Sequence, residues 1–323
     1  MILDNIFLIF RSILNTLKID LIINKILKTK MDPLFNIDLF KYINEYTDLR
    51  SLCDTSVLFA SLKQYINYKL NDDYSFMYYD DISFRNRVLS KIYNPYKQLR
   101  LDLSWCLNIE NVSALGNVHT LNLRLCDNIE DVSALGKVHN LNLHGCINIK
   151  DVSALGKVHT LDLSHCDDIK DVSALGKVHN LDLSDCDNIE DVSALGKVHT
   201  LNLSMCRKIK DVSALGNVHT LKLQACTISD VSALGNVHTL NLSNCDNVED
   251  VSALGKVHNL DLSCCLNIEY VSALSKVHKL DLQGCLNIKD VSALGKVHNL
   301  TDHYITNITI SDIMALNLFD VHY

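Results

Sequence analysis

The chain has 323 residues, a formal charge of −8, 48% hydrophobic residues and only two prolines. That length accommodates a helical domain plus an elongated array, and the mild acidity argues against nucleic acid as the main partner. No uninterrupted apolar run reaches the roughly 20 residues of a membrane span, which argues against a membrane partner.

Residues 1–30 are apolar but interrupted by Asp4, Arg11, Lys18, Asp20 and Lys25. Leu3, Phe7, Phe10, Leu14, Leu17 and Leu21 recur at spacings of four and three, which predicts an amphipathic helix. Packing on the domain that follows is the first expectation for it, with a membrane surface or disorder as alternatives. Asp4 and the lack of a small-residue cleavage site argue against a signal peptide, and Met31 offers a second possible start.

Residues 31–98 change character, with frequent Tyr, Asn and Asp. Pro33 opens a predicted helix with Leu39, Phe40 and Ile43 on one face. A second begins near Thr47, with Leu49, Leu52 and Cys53 inward. The order Pro33, Ile43-x-x-Tyr46, Asp48-Leu49-x-x-Leu52-Cys53, Ser56-x-x-Phe59-x-x-Leu62 resembles the F-box family. It opens on Asp32-Pro33 where the family has Leu-Pro, and the family's later tryptophan is missing. The resemblance implies a Skp-type adaptor as partner, contacted by Pro33, Leu34, Leu39, Ile43, Leu49 and Leu52. A plain helical cap over the first repeat accounts for the same apolar faces.

From Leu101 the chain repeats. Leucines restart at 101, 121, 141, 161, 181, 201, 221, 240, 260 and 280, so residues 99–300 hold ten copies of about 20 residues. In Val158 to Cys166, alternation sends Leu161 and Leu163 one way and Asp162 and Ser164 the other. Ile169, Val172 and Leu175 follow at spacings of three, which suits a short 3₁₀ turn. Asp171 is placed to cap that turn. Gly176 stands where a turn can need positive φ. The one-residue deletion in the copy from Leu221 falls in the loop between Cys226 and Ile228.

The pattern L-x-x-L-x-L-x-x-C resembles the leucine-rich repeat, with a convex stretch like that of the internalins and a cysteine like that of F-box proteins. It implies an α/β fold: a solenoid with one parallel β-sheet, preceded by the small helical domain and closed by a degenerate cap over 301–323. The head composition combined with monotonous repeats also resembles proteins of large viruses that infect amoebae.

Equivalent residues form columns. Ten cysteines, from Cys106 to Cys285, read as small buried side chains whose S–H meets backbone; no CxxC is present. A column of free thiols is safest in a reducing compartment, so a cytoplasmic location is expected. Ten histidines, from His119 to His298, adjoin a column of lysines. A stack of neutral rings is the simpler reading, and chelation of a divalent ion by adjacent rings the alternative.

The solvent-facing wall carries the variable positions. Trp105, Arg124, Leu125, His144, Asp162, His165, Asp182, Asp185 and Met205 are the candidate contacts for a protein target. Trp105 is either a hot spot beside Arg124 or a packing residue against the helical domain. No Gly-rich phosphate loop or unique Ser, His, Asp set stands out, so no enzyme activity and no cofactor are expected. The combined expectation is a binding protein, monomeric apart from its complex, that recruits a target to a ubiquitin ligase; a stand-alone scaffold is the alternative.

Overall fold

The computed structural model describes residues 68–92 and 94–301. The amphipathic helix of residues 1–30, the F-box-like motif with its six adaptor-facing residues, and the cap over 302–323 lie outside them. The chain divides into two units, Met1–Lys63 and Gln64–Tyr323, and every described residue belongs to the second.

Among the described residues, twelve parallel strands form one sheet in strict chain order. β1 is Tyr68–Lys69, β2 is Leu99–Asp102 and β3 is Thr120–Asn122; the rest follow one per copy to β12, Asn299–Thr301. Register is exact in its repetition, with Leu121 opposite Leu141 and Leu161 opposite Leu181. A parallel ladder needs a crossover between strands. Here the remainder of each 20-residue copy provides it, and the return carries a single 3₁₀ turn such as Ser173–Leu175. This is the leucine-rich repeat solenoid expected from the sequence.

The core is one continuous stripe. Leu161, Leu163, Cys166, Ile169, Val172, Leu175 and Val178 are all buried, as are their equivalents in the neighbouring copies. Fully burying one such aliphatic side chain contributes about 1.5–3 kcal/mol. No single copy encloses its own leucines, so the stabilisation resides between copies.

The cysteine column behaves as expected. Each thiol from Cys126 to Cys285 donates to a leucine carbonyl one copy earlier, at 3.0–3.2 Å. Burial pushes the Cys126 thiol up to about 11 and that of Cys146 to about 12, which keeps both protonated and unreactive. The aspartates also act as caps: Asp131, Asp151, Asp171 and Asp191 each accept the N–H of the serine two residues on, at 2.8–2.9 Å. Hydrogen bonds from that serine, backbone first at Asp131, Asp151 and Asp191 and side chain first at Asp171, hold their carboxyls below the usual range.

The glycine expectation fails. Gly176 has φ −61°, an ordinary right-handed value. What excludes a side chain is proximity, because a Cβ there would lie 2.3 Å from the backbone oxygen of Ala194 in the next copy. Positive φ occurs elsewhere, at the residue before each cysteine. Trp105, Leu125, His165, Asp185, Met205, Ala225, Asn244 and Cys264 all adopt it, with Gly145 and Gly284. The left-handed residue lets the chain leave the sheet while its N–H still reaches the next strand, as Trp105 does to the Arg124 carbonyl at 2.8 Å.

Asparagines in the following loop form an outer ladder. Asn128, Asn148, Asn188, Asn267 and Asn287 each donate to a carbonyl one copy earlier, at 2.6–2.8 Å. In the shortened copy the Thr227 hydroxyl takes this role, donating to the Arg207 carbonyl at 2.7 Å. The deletion therefore leaves the core untouched.

At the array's start, Asn71 caps helix α1 (Asp72–Asp80), and Asp81 caps helix α2 (Ile82–Lys91). Arg85 reaches back to the carbonyls of Tyr78 and Tyr79, at 2.8 and 2.5 Å. Fully buried Tyr78 joins the same core as Leu99 and Leu101. Together with β1, which pairs with β2, these helices cover the first coil's apolar edge.

Candidate functional site

The sheet's outer wall is set by alternation: with Leu121 and Leu123 inward, Thr120, Asn122 and Arg124 face solvent. Most of this wall is a uniform polar lattice. Asp162 accepts the N–H and hydroxyl of Ser164 at 3.0 and 2.5 Å, and the Asn142 amide at 3.1 Å. Asp182 does the same with Ser184 and Asn202. Both aspartates are half-buried, and their oxygens serve the wall itself before any partner.

The aromatic and histidine-bearing departures from uniformity lie in copies one to five; Lys222 and Gln224 break the pattern again in copy seven. Trp105 is 67% exposed, and Arg124 is exposed on the neighbouring strand. Half-buried Leu125 leans over Gly145, where an added Cβ would come 2.5 Å from its Cδ2. Beside it, the His144 ring meets His165 edge-to-face at 5.0 Å between centroids. His165 Nδ1 lies 3.0 Å from an Asp185 carboxylate oxygen. His144 Nδ1 lies 2.7 Å from Ser164 Oγ. Met205 is exposed farther along. The structure thus connects Leu125, His144, His165 and Asp185 into one strip, with Trp105 and Arg124 at its head.

Partial burial holds His144 below the usual imidazole range; Asp162 opposes the shift, while Arg124 and His165 add to it. Its neutral ring donates from Nδ1 to Ser164, since the Ser164 proton is directed to Asp162. The order is therefore histidine, serine, aspartate, with the serine in the middle and only 6% exposed. A nucleophilic serine needs the histidine as base and the aspartate behind it. In this order the Ser164 hydroxyl is not activated as a nucleophile.

The sequence offered these residues singly. The His144–His165 contact was missed because the two occupy different columns, 21 residues apart. Their rings meet only because adjacent strands are in register and residue 165 turns left-handed.

The histidine column runs along the sheet's other margin. Its ring centroids lie 4.5–4.8 Å apart from His119 to His298, edge-to-face at His119–His139, tilted at His159–His179, and stacked from His179 to His238 and from His258 to His298. Among the described residues no group of three or more metal-ligating side chains gathers, and no helix is long and apolar enough to cross a membrane.

No protein-family model matches the chain, and a search of curated proteins also finds no match. Solved structures do match. An internalin (InlF) from Listeria monocytogenes is similar at 19% identity, over 68% of this chain and 78% of that one, with a TM-score of 0.50. Internalin C2 from the same organism is similar at 24% identity over 53% and 83%, TM-score 0.42. The functional domain of its InlJ, which includes a cysteine ladder, is similar at 18% identity over 68% and 60%, TM-score 0.40. The first of these likenesses bears on the fold, which is the internalin-like leucine-rich repeat.

Proposed function

We propose that this protein is a non-enzymatic docking scaffold whose target binds the outer wall of the sheet at copies one to five. The observation that carries this reading is the non-repeating strip from Trp105 and Arg124 through Leu125, His144 and His165 to Asp185 on a mostly uniform wall. A uniform lattice discriminates poorly between partners, whereas an exposed Trp beside an Arg is a favoured anchor. The target is a protein with a polar or basic surface that complements Asp185 and offers an apolar contact to Trp105.

The finer reading makes the scaffold the substrate-recognition subunit of a Skp/cullin/F-box-type ubiquitin ligase in the cytoplasm. It rests on the F-box-like motif, with Leu39 and Ile43 on the adaptor-facing helix, and on the free-thiol column. Co-purification of the full chain with a Skp-type adaptor tests it, and Leu39→Asp with Ile43→Asp should abolish that capture. Capture of a target without any adaptor would leave the stand-alone scaffold, which the Asp32-Pro33 opening and the missing tryptophan favour. For the target itself, Trp105→Ala should weaken binding by about 30-fold or more, the effect of losing a hot spot of about 2 kcal/mol. Unchanged affinity in Trp105→Ala and Arg124→Ala would remove the strip as the site.

A further inference from the structure

The turn side of the array, away from the sheet's outer wall, carries a second organised surface. A groove of about 1200 Å³ runs along the stack from Ser113 to Asn217. Its floor is glycine and alanine backbone. One wall is a row of exposed lysines: Lys137, Lys157, Lys177 and Lys197. Beyond the serines of the opposite side stands a row of exposed aspartates: Asp131, Asp151, Asp171 and Asp191. Among the described residues none of these lysines pairs with a carboxylate, and none of these aspartates pairs with a cation. Two opposite charge columns thus run in parallel, each facing solvent.

We propose that this edge pairs with the same edge of a second copy of the chain, the two-fold axis running along the stack. That axis sets each aspartate row against the lysine row of the other copy. It also maps every coil onto its own equivalent, so the charges stay in register by symmetry. A two-fold axis across the stack would instead place lysine on lysine, which like-charge repulsion disfavours. The first coil is neutral at both positions, Asn111 and Asn117, while coils two to five, eight and ten carry an aspartate and a lysine together. Coils six and seven carry Asp211 and Asp230 opposite Asn217 and Asn236, and coil nine carries Lys276 without an aspartate, so the paired charges concentrate in coils two to five.

The spacing favours a second copy over other occupants. Both columns advance by one coil, a step marked by the 4.6 Å between the His139 and His159 rings. An extended peptide advances about 3.4 Å per residue and drifts out of register. A linear polyanion would meet the lysines but be repelled by the aspartates. The pairing leaves both outer walls free, and it departs from the monomer expected from the sequence. It does not depend on the target-binding reading above.

Each exposed pair contributes little alone and is screened by salt, so the association is a low-salt, multi-pair effect. Sedimentation velocity of the full chain at micromolar concentration tests it. The wild type is expected to be a dimer at low ionic strength and a monomer at high. The combined Lys137→Glu, Lys157→Glu, Lys177→Glu and Lys197→Glu variant, with unchanged circular dichroism, is expected to be monomeric throughout. Should that variant not fold, the combined Asp131→Asn, Asp151→Asn, Asp171→Asn and Asp191→Asn variant decides. Asparagine keeps an acceptor for the serine N–H but loses the charge, and dimerisation should weaken by roughly tenfold or more. A wild type that stays monomeric at low salt overturns the proposal, including one that binds inorganic polyphosphate instead. A dimer indifferent to salt, or one unaffected by the folded variants, overturns it equally.

Discussion

Copy four (161–180) and copy nine (260–279) follow one plan and differ in informative places. Their seven inward residues are identical: Leu161 and Leu260, Leu163 and Leu262, Cys166 and Cys265, Ile169 and Ile268, Val172 and Val271, Leu175 and Leu274, Val178 and Val277. Outside that set, Asp171 becomes Tyr270, Gly176 becomes Ser275, Asp168 becomes Asn267 and His165 becomes Cys264. Both copies still form the same strand and 3₁₀ turn. The buried stripe therefore specifies the coil, while cap, glycine and loop residue tune how strongly it holds its neighbours.

Making copy four resemble copy nine at the glycine should have the largest effect. Gly176→Ala forces a Cβ toward the Ala194 oxygen and should cost about 1–3 kcal/mol, read as a lower urea midpoint. An unchanged midpoint would mean that the close approach relaxes without cost, as the side chain already present at Ser275 allows in its own coil. The reverse exchange sharpens the comparison. Tyr270→Asp restores the cap and should gain about 0.5–1 kcal/mol, less any repulsion from Asp250 and Asp290. Differential scanning calorimetry showing no rise would demote the cap to ornament.

Asp168→Asn should gain about 0.5 kcal/mol. It supplies a donor for the Ile147 carbonyl, matching Asn148, Asn188 and Asn267, and loses only the exposed 3.6 Å pair with Lys150. A melting temperature equal to wild type or below it would refute the outer ladder's contribution.

Acid has the smallest effect per residue, spread over four histidines of the column. Desolvation, then the neighbouring histidines, lower His179, His238 and His278 below their ordinary value; burial and His139 do so for His119. The folded state therefore prefers the neutral rings. Stability is fully present above the unfolded value of about 6.5, and it declines as pH falls through 6.5 toward the lower folded values. Melting temperatures equal at about pH 7.5 and about pH 5 would contradict this.

Much of the architecture was legible because each structural need repeats ten times. Alternating leucines, the cysteine column and the Asp171-type cap follow from period and side-chain chemistry alone. The purpose of Gly176 did not, because a neighbour's carbonyl 2.3 Å from an absent atom leaves no trace in one copy's local pattern. The left-handed residues were equally hidden: Leu125, Met205 and Ala225 are poor predictors of positive φ, which costs such residues about 1–2 kcal/mol and is imposed by the ladder on either side. In the candidate site, exposure of Arg124 could be read from alternation, whereas Trp105 has the inward parity of Leu101 and Leu103 and reaches solvent through its positive φ. The meeting of His144 with His165 could not be read that way, since it joins two columns across a strand boundary.

The near-identity of the coils has a cost during folding. A chain that skips one coil and bulges it out can zip the flanking leucines, thiols and asparagines almost as well as the native order does. Closing such a 20-residue bulge carries only a modest entropic penalty. The landscape then holds competing minima one coil apart. Only the rare irregularities, such as Thr227 in the shortened coil and the Tyr78 helix at one end, distinguish the native minimum from its shifted imitations.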